Sequence, residues 1–392
     1  MRKIVSILGV AVLSFAVIFT LGMTTRKSNV ESVAVVSENK DISISADYAY
    51  LIDYDSGKVL YQNNAEVKRP IASMVKIMTL LLTFESVDRG EIKLSDMVTI
   101  SNNAAKQTGS EMFLDEGVEY SVSDIIKGVV TMSANDGSVA LAEYVGGSEE
   151  QFISAMNNRA KELGMKNTLY ANPTGLPSDS EQYSTAKDVT ILMRELVAHK
   201  KYHEYSTIWL EDYKHPSGRI TQLANTNKLI RHYKGCDSGK TGYTDSAKYC
   251  LSASAKRNDM RVVGTVMGAN DSKARFKAMS DMFNYAFNNY KKQVYIKGGT
   301  PLSIEVSVKN GKVNKIVPYT TKDLAVLVSK KEGKYEIKYD IPNSVKAPLK
   351  KGDVIGSVMM VDGDNVLSKV DVLAPCDVEK ASLWDIIKNI FR

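Results

Sequence analysis

The period of the hydrophobic pattern changes near residue 290, and this change requires two different architectures in succession. Before it, long segments with the 3.6-residue period of helices are interspersed with runs that alternate as strands do. After it, up to about residue 376, the runs are short and alternating, separated by Asn-Gly and Asp-Gly pairs that are typical of tight turns. With 392 residues, the chain has room for both. We therefore predict an α/β domain over residues 42–290 and a small all-β domain over 291–376.

The α/β part contains elements that can be assigned individually. Residues 55–57, Asp-Ser-Gly, lie between two alternating runs and predict a hairpin, and a buried helix follows with Pro70 near its start. Two further helices flank a polar break at 133–137, and a turn-rich loop with the sequence ANPTGLPSD precedes another helix. Two strand-like runs meet at 258–259 and a last helix follows them. We expect an antiparallel sheet covered by helices.

The first 30 residues predict export. Arg2 and Lys3 precede about twenty consecutive residues without a charge, the pattern of a signal peptide. The same length suffices to span a bilayer, so an uncleaved N-terminal anchor is the alternative. A small-x-small cleavage site does not directly follow Leu21. In either case the positive end stays in the cytoplasm and the remaining chain lies outside.

The last residues, 378–392, predict an amphipathic helix. Its apolar residues share one side of a helical wheel and its polar residues share the other: Leu383, Trp384, Ile387, Ile390 and Phe391 against Asp385, Lys388, Asn389 and Arg392. Such a helix suits a membrane surface, with its apolar face among the lipid headgroups. A helix docked on its own domain is the alternative.

Charge and composition exclude some classes of function. The net charge of +6 is spread along the chain without a basic run, so nucleic-acid binding is not indicated. The four histidines and three cysteines lack the spacing of a metal site. Cys236 and Cys250 could form a disulfide in an exported protein or remain two buried thiols.

A Gly-Lys-Thr sequence at 239–241 resembles part of a phosphate-binding loop. That loop needs four residues between its first glycine and the Gly-Lys pair, and Gly235 is one residue too close to Gly239. The residues that follow have the pattern of a strand, whereas a phosphate loop must open a helix. Lys240 therefore requires a different explanation.

A serine and a lysine three residues apart, Ser73 and Lys76, lie in the first long helix of the α/β part. Residues at this spacing share one helix face, so the lysine can take the serine proton once burial keeps its amine neutral. Serine and lysine at this spacing are common by chance, so this pair alone is a weak signal.

Two further motifs make the pattern specific. Ser133 and Asn135 lie at the polar break between helices, where a hydroxyl could pass on a proton and an amide could hold a peptide group. Lys240, Thr241 and Gly242 begin a strand, where the lysine and hydroxyl could bind a carboxylate and the glycine admits a substrate backbone. The order S-x-x-K, S-x-N, K-T-G, on a helix, a loop and a strand, is highly specific.

From about residue 42 to its C-terminus, the chain resembles the low-molecular-weight penicillin-binding proteins, the serine-type D-alanyl-D-alanine carboxypeptidases. The segments RPIASMVKIMT, SANDGSVALAE and DSGKTGYTDSAKYCL carry the resemblance, together with the β-rich part and the amphipathic tail. It implies a fold of the penicillin-binding protein and β-lactamase type. It also implies an exported hydrolase at the outer face of the bacterial cytoplasmic membrane or cell wall, with no metal or organic cofactor.

The resemblance also implies roles for individual residues. Ser73 would attack the carbonyl between two terminal D-alanines of a peptidoglycan stem peptide, with Lys76 as general base. Ser133, helped by the charge of Lys240, would pass a proton to the leaving amine. The remaining implied roles are peptide binding by Asn135, carboxylate binding by Thr241 and Arg275, close approach of substrate at Gly242, and an oxyanion hole of the Ser73 and Tyr243 N–H groups. β-Lactam antibiotics would acylate Ser73.

Other functions use similar motifs. A β-lactamase of the type with the same three motifs would add a Glu-x-x-Leu-Asn loop, which the sequence after Ser133 lacks. An endopeptidase acting on cross-links, or a transpeptidase, would use the same site. A non-catalytic peptidoglycan-binding protein would not need Ser73 and Lys76.

Overall fold

The structure is a computed structural model that describes residues 42–330 and 335–382. The predicted leader (1–30) and the residues of the predicted C-terminal helix from 383 onward lie outside the described residues. Among the described residues, no helix is long and apolar enough to cross a bilayer.

The described residues form α-helices and strands that are numbered in chain order. The helices are α1 (Lys76–Asp88), α2 (Asn102–Ala105), α3 (Val122–Thr131), α4 (Asn135–Gly146), α5 (Glu149–Glu162), α6 (Ala186–Ala198), α7 (Tyr202–Ser206), α8 (Leu229–His232) and α9 (Ser272–Asn289). The strands are β1 (Tyr48–Asp53), β2 (Val59–Asn63), β3 (Met97–Thr99), β4 (Glu119–Ser121), β5 (Leu210–Lys214), β6 (Ile220–Ala224), β7 (Cys236–Thr244), β8 (Lys248–Arg257), β9 (Met260–Ala269), β10 (Tyr290–Ile296), β11 (Val306–Lys309), β12 (Lys315–Ile316), β13 (Tyr319–Thr320), β14 (Leu324–Ser329), β15 (Glu336–Asp340), β16 (Ser344–Lys346), β17 (Val354–Asp362) and β18 (Asn365–Leu373). A 3₁₀ turn, Ala72–Val75, precedes α1.

A five-stranded antiparallel sheet, in the order β2-β1-β9-β8-β7, organises the α/β part of the described chain. Alternate residues of β9 face opposite sides, as the two-residue period of a strand requires. Val262 and Val266 pack with α9, whereas Val263 and Met267 pack with the helices on the other face. Both faces are buried, so the prediction of an antiparallel sheet covered by helices is confirmed.

The all-β part is also confirmed. Strands β10 to β18 form sheets in the orders β10-β14, β12-β11-β16 and β13-β18-β17-β15 among the described residues. A separate hydrophobic core fills this part, with Val358, Met360 and Val372 fully or almost fully buried.

Three local predictions need correction. Ser73 lies on the 3₁₀ turn and not inside an α-helix, because α1 begins only at Lys76. Lys240 lies in the middle of β7, which starts at Cys236 and not at the lysine. The predicted C-terminal helix does not start at residue 378, since Val378 and Lys380 pair in isolated β-bridges with Leu349 and Gly311.

The described cysteines are free thiols. Cys236 pairs across the sheet with Ala255, and Cys250 pairs with Gly242, so the two cysteines occupy different registers of β7 and β8. Of the two alternatives from sequence, the structure contains the buried thiols.

Candidate active site

The 3₁₀ turn places Ser73 where three backbone segments come together. Ala72, just before the serine, has a left-handed φ of 48°, which is unusual for a residue with a Cβ. A Cβ atom on Gly175 would lie 2.0 Å from the carbonyl oxygen of Ala72, and one on Gly242 would lie 2.7 Å from that of Ile71. Both glycines are therefore required for this close approach, which leaves Ser73 half-buried between a loop and β7.

Lys76 points its amine into the same space. Its Nζ atom lies 3.1 Å from Oγ of Ser73, so the 3₁₀ turn still brings residues three apart onto one face. The same nitrogen lies 2.6 Å from Oδ1 of Asn135 and 2.6 Å from the carbonyl oxygen of Thr174. Lys76 is fully buried.

Burial lowers the pKa of Lys76 well below that of an exposed lysine, and the positive charge of Lys240 lowers this pKa further. The carboxylate of Asp136 acts in the opposite direction. Because desolvation disfavours the ammonium form, the burial favours the neutral amine that a general base requires.

A second serine–lysine pair lies close to the first, since the charge of Lys240 acts on Lys76. Nζ of Lys240, on β7, lies 2.8 Å from Oγ of Ser133 and 2.9 Å from the carbonyl oxygen of Thr241. Ser133 follows α3 and has a left-handed φ of 68°. Burial, and then the charge of Arg275, lower the pKa of Lys240 to about 7. This lysine can therefore exchange a proton at physiological pH.

Asn135 starts α4 and uses both ends of its amide within the protein. Its Oδ1 accepts from Lys76, while its Nδ2 donates to the carbonyl oxygen of Thr108 at 2.6 Å. The next residue, Asp136, is buried, and its carboxylate accepts the N–H groups of Met112 and Leu114. The start of α4 thus ties the loop before β4 to the amine of Lys76.

Strand β7 presents its remaining polar groups along one edge of the sheet. Thr241 donates from Oγ1 to the hydroxyl of Thr226 at 3.0 Å. Tyr243 is half exposed, and its ring lies 4.4 Å from that of Tyr249. In the described chain the far side of β7 pairs with no other strand, so an extended peptide can approach it.

Arg275 of α9 is buried and contacts both β7 and β8. Its Nη1 donates to the carbonyl oxygens of Gly242 and Cys250, and its Nη2 donates to Oγ of Ser272. Within the described structure its Nε has no hydrogen-bond partner. The burial lowers the pKa of Arg275 to about 10. The charge of Arg275 lowers the pKa of Lys240, and its hydrogen bond to Gly242 supports the strand that carries this lysine.

The structure thus brings the two serine–lysine pairs and Asn135 together beside β7, and it ties Arg275 to the carbonyl oxygens of Gly242 and Cys250. Sequence reasoning missed Asp136, Thr174 and Thr108. Asp136 directly follows the S-x-N motif and could have been noticed there. Thr174 and Thr108 contribute backbone carbonyls, for which a side-chain pattern contains no signal.

Metal chemistry has no site in the described part of the chain. Among residues 42–330 and 335–382, no group of three or more His, Cys, Asp or Glu side chains is arranged to hold a metal ion. The polar groups of the cleft are hydroxyls, amines and an amide. Together with the sheet and helices around it, this cleft defines an enzyme of the penicillin-binding class.

Comparisons with known proteins agree with this class. Residues 33–271 match the family of D-alanyl-D-alanine carboxypeptidases, peptidase S11, and residues 290–380 match the C-terminal domain of penicillin-binding protein 5. The chain belongs to this carboxypeptidase family and is a serine-type D-alanyl-D-alanine carboxypeptidase.

Individual relatives span nearly the whole chain. D-alanyl-D-alanine carboxypeptidase DacF of Bacillus subtilis is 38% identical, over 89% of this chain and 90% of the relative. DacC of Escherichia coli is 32% identical, over 89% of each. The crystal structure of penicillin-binding protein 5 from Haemophilus influenzae superposes with a TM-score of 0.72 at 29% identity, and covers 86% of this chain and 99% of that one.

Proposed function

We propose that Ser73 is the nucleophile and Lys76 the general base of the carboxypeptidase reaction. One observation carries this proposal: the two shortest contacts of Lys76 are to Oδ1 of Asn135 and the carbonyl oxygen of Thr174. Both oxygens can only accept hydrogen bonds. A neutral amine must therefore direct its two N–H bonds at them, which leaves its lone pair for the hydroxyl of Ser73.

Acylation then follows from this arrangement. Oγ of Ser73 attacks the carbonyl carbon of the penultimate D-alanine while its proton passes to Nζ of Lys76. The carbonyl oxygen becomes an oxyanion, and the backbone N–H groups of Ser73 and Tyr243 are its donors. The close packing of Gly242 on Ile71, which brings β7 to the 3₁₀ turn, supports this pairing of donors.

Collapse of the tetrahedral intermediate breaks the peptide bond and requires a proton on the leaving amine. We assign the donor to Ser133, whose hydroxyl is replenished from Lys240. The carboxylate of the departing D-alanine is attracted by the charges of Lys240 and Arg275 and accepts a hydrogen bond from Thr241. Asn135 has a further N–H for the substrate peptide beyond the one given to Thr108.

Deacylation restores the enzyme. Water loses a proton to Lys240 through Ser133, and its oxygen adds to the carbonyl carbon of the Ser73 ester. The bond to Oγ of Ser73 then breaks, and Oγ regains the proton held by Lys76. The shortened stem peptide leaves as a carboxylate, whose proton passes to solvent. The substrate class is a peptidoglycan stem peptide that ends in D-Ala-D-Ala. β-Lactams acylate the same oxygen, because their strained amide occupies the place of the D-Ala-D-Ala bond.

A fluorescent penicillin and an acetylated tripeptide ending in D-Ala-D-Ala test these roles. The wild type should be labelled covalently and should release D-alanine, and Ser73→Ala should do neither. Ser86→Ala, in α1 but away from the cleft, should behave as the wild type. Labelling or D-alanine release by Ser73→Ala would show that the nucleophile is a different residue.

The endopeptidase alternative is weaker, since the relatives that span the chain are carboxypeptidases. Purified cross-linked muropeptides distinguish the two activities. A carboxypeptidase releases free D-alanine from their pentapeptide ends, whereas an endopeptidase converts dimers to monomers. Conversion of dimers faster than D-alanine release would favour the endopeptidase.

For localisation, we propose export to the outer face of the bacterial cytoplasmic membrane, with residues 42–290 as the catalytic domain and 291–376 as a separate β domain. The charged start and apolar run of residues 1–30 support export, and the amphipathic pattern of 378–392 supports attachment to the membrane surface. Deletion of residues 383–392 should release a signal-cleaved protein from membranes. Continued attachment would indicate an uncleaved N-terminal anchor instead.

A further inference from the structure

A short loop on the far side of Lys76, residues 172–176, contacts the catalytic helix through two backbone carbonyls. The carbonyl oxygen of Pro173 accepts from Oγ1 of Thr79 at 2.9 Å, and that of Thr174 accepts from Nζ of Lys76 at 2.6 Å. Thr79 and Lys76 are three residues apart on α1. The loop is therefore aligned along one face of the helix, next to the proposed base.

The side chain of Asn172 organises this loop from within. Its Oδ1 accepts the N–H of Gly175 at 2.7 Å, and both the N–H and the hydroxyl of Thr174 at 3.1 and 3.0 Å. Its Nδ2 donates to the carbonyl oxygen of Leu176 at 3.0 Å. The amide of Asn172 thus makes hydrogen bonds to backbone groups before and after the Thr174 carbonyl, and these bonds fix the peptide unit between Thr174 and Gly175.

A neighbouring residue supports Asn172 in turn. Oε1 of Gln182 accepts the N–H groups of Ala171 and Asn172 at 3.0 and 3.2 Å. Gly175 has a left-handed φ of 83° and presses against the carbonyl of Ala72, so the loop has no room to shift toward the 3₁₀ turn. These contacts leave the Thr174 carbonyl one orientation, toward Lys76.

We propose that Asn172 is a positioning residue for acylation: it holds the Thr174 carbonyl so that one N–H of Lys76 is committed and the lone pair stays directed at Ser73. The proposal rests on the proposed function of Lys76 as general base. Asn172 itself contacts neither Lys76 nor Ser73 in the described hydrogen-bond network. It acts through the backbone of the loop.

The proposal has a kinetic signature that a loss of folding does not share. A carbonyl acceptor stabilises an ammonium more than an amine. Without a fixed Thr174 carbonyl, the pKa of Lys76 should fall further, and its neutral amine should spend less time oriented toward Ser73. The charged groups that act on Lys76, Lys240 of β7 and Asp136 of α4, are unchanged. In a plot of the acylation rate constant against pH, the plateau is the maximal rate constant and the acid limb is the range in which it rises as Lys76 loses its proton. The plateau should fall, and the acid limb should move to lower pH.

The experiment measures the second-order rate constant of acylation by fluorescent penicillin as a function of pH. Each rate constant is calculated per molecule of enzyme that can be labelled at saturation, so that unfolded molecules do not lower it. For Asn172→Ala we expect a plateau about tenfold to a hundredfold lower, because small misplacements of a reacting group have effects of this size. Asn172→Asp retains the acceptor oxygen and adds a negative charge near Lys76. It should recover most of the plateau and shift the acid limb to higher pH.

Asn157→Ala is a matched control. Asn157 is equally half-buried, and its side chain makes hydrogen bonds to the backbone of Ile153 and Tyr170, two residues before the loop. Its removal should lower thermal stability and leave the pH profile of the labelled molecules unchanged.

Three outcomes would overturn the proposal. The first is an unchanged plateau and acid limb in Asn172→Ala. The second is a lower plateau in Asn172→Ala without movement of its acid limb. The third is the same pH profile in Asn172→Ala and Asn157→Ala. Failure of the proposed function would differ from all of these, because the wild type itself would then not be labelled or would not release D-alanine.

Discussion

Nζ of Lys240 lies 2.8 Å from Oγ of Ser133, although the two residues are 107 positions apart and belong to a strand and to the turn between two helices. Lys76 and Asn135 make a similar contact at 2.6 Å, 59 positions apart. The S-x-N segment therefore contacts one lysine through its serine and the other through its asparagine. One short turn of the chain therefore contacts both proposed proton-transfer pairs, Ser73 with Lys76 and Ser133 with Lys240.

Ser133→Ala should impair acylation without preventing substrate binding. If Ser133 carries the proton to the leaving amine, its loss should lower kcat by about a hundredfold to ten-thousandfold, with a smaller change in KM. D-alanine release from the acetylated tripeptide measures both constants.

Ser138→Ala provides the control for Ser133→Ala. Ser138 is equally buried in α4, but its hydroxyl donates to the carbonyl oxygen of Ala134 and not into the cleft. It should retain wild-type kcat. Equal losses in the two variants would indicate damage to α4 and would contradict a role for Ser133 in proton transfer.

Lys240→Met should stabilise the fold while it abolishes activity. The pKa of Lys240 is about 7 in the folded protein and 10.5 for an ordinary lysine. Between these values the unfolded chain binds a proton that the folded protein lacks, so wild-type stability rises with pH across this window. Below pH ~7 the full cost of burying the charge remains. The methionine variant lacks this cost and should be about 1–4 kcal/mol more stable at low pH.

Thermal unfolding of both proteins from about pH 6 to about pH 8.5 measures this difference in stability. The range ends at the ordinary pKa of cysteine so that ionisation of exposed thiols adds little to the pH dependence. The advantage of Lys240→Met should be largest at the acid end and should decrease as pH rises. A constant difference, or one that grows with pH, would contradict a depressed pKa for Lys240.

Asp136→Asn should shift the pH dependence of acylation. Its negative charge raises the pKa of Lys76, so its removal should move the acid limb of the acylation profile to lower pH. The amide also loses one acceptor for the N–H groups of Met112 and Leu114, which should lower the free energy of unfolding by about 1–3 kcal/mol.

Asp188→Asn separates these two effects of Asp136→Asn. Asp188 is similarly buried and accepts hydrogen bonds from Asn167 and Thr168, away from the cleft. Its replacement should lower stability and leave the acid limb in place. An unmoved limb in Asp136→Asn would show that its charge does not act on Lys76.

Gly175→Ala should be far more damaging than a comparable glycine replacement. The new Cβ would lie 2.0 Å from the carbonyl oxygen of Ala72, so the loop or the 3₁₀ turn must move, and acylation should fall together with stability. Gly164 has a similar φ of 74° against 83°, but a Cβ there would meet no described atom within 4 Å.

Gly164→Ala therefore measures the backbone strain alone, about 1–2 kcal/mol for a left-handed residue with a Cβ. The excess in Gly175→Ala, determined by denaturant unfolding and by penicillin labelling, reports the steric contact with Ala72. Equal effects of the two replacements would mean that the loop can move away from Ser73 without consequence.

Much of the architecture could be predicted because it depends on local patterns. The hairpin at 55–57, the strands that meet at 258–259 and the change to an all-β part near 290 follow from residue periodicity and turn chemistry. The local pattern is ambiguous at Ser73. A 3₁₀ turn and the first turn of an α-helix have similar sequences, so the pattern predicts Ser73 inside the helix, whereas the serine lies before α1.

The chemical groups of the cleft and their order along the chain can be read from the sequence, because a motif of serine, lysine and asparagine is visible as side chains. How those groups behave depends on contacts between distant segments. The pKa values of Lys76 and Lys240 are lowered by burial and by neighbouring charges that come from distant segments. The acceptor that orients Lys76 is a backbone carbonyl at Thr174, 98 positions away, and any residue type provides a carbonyl.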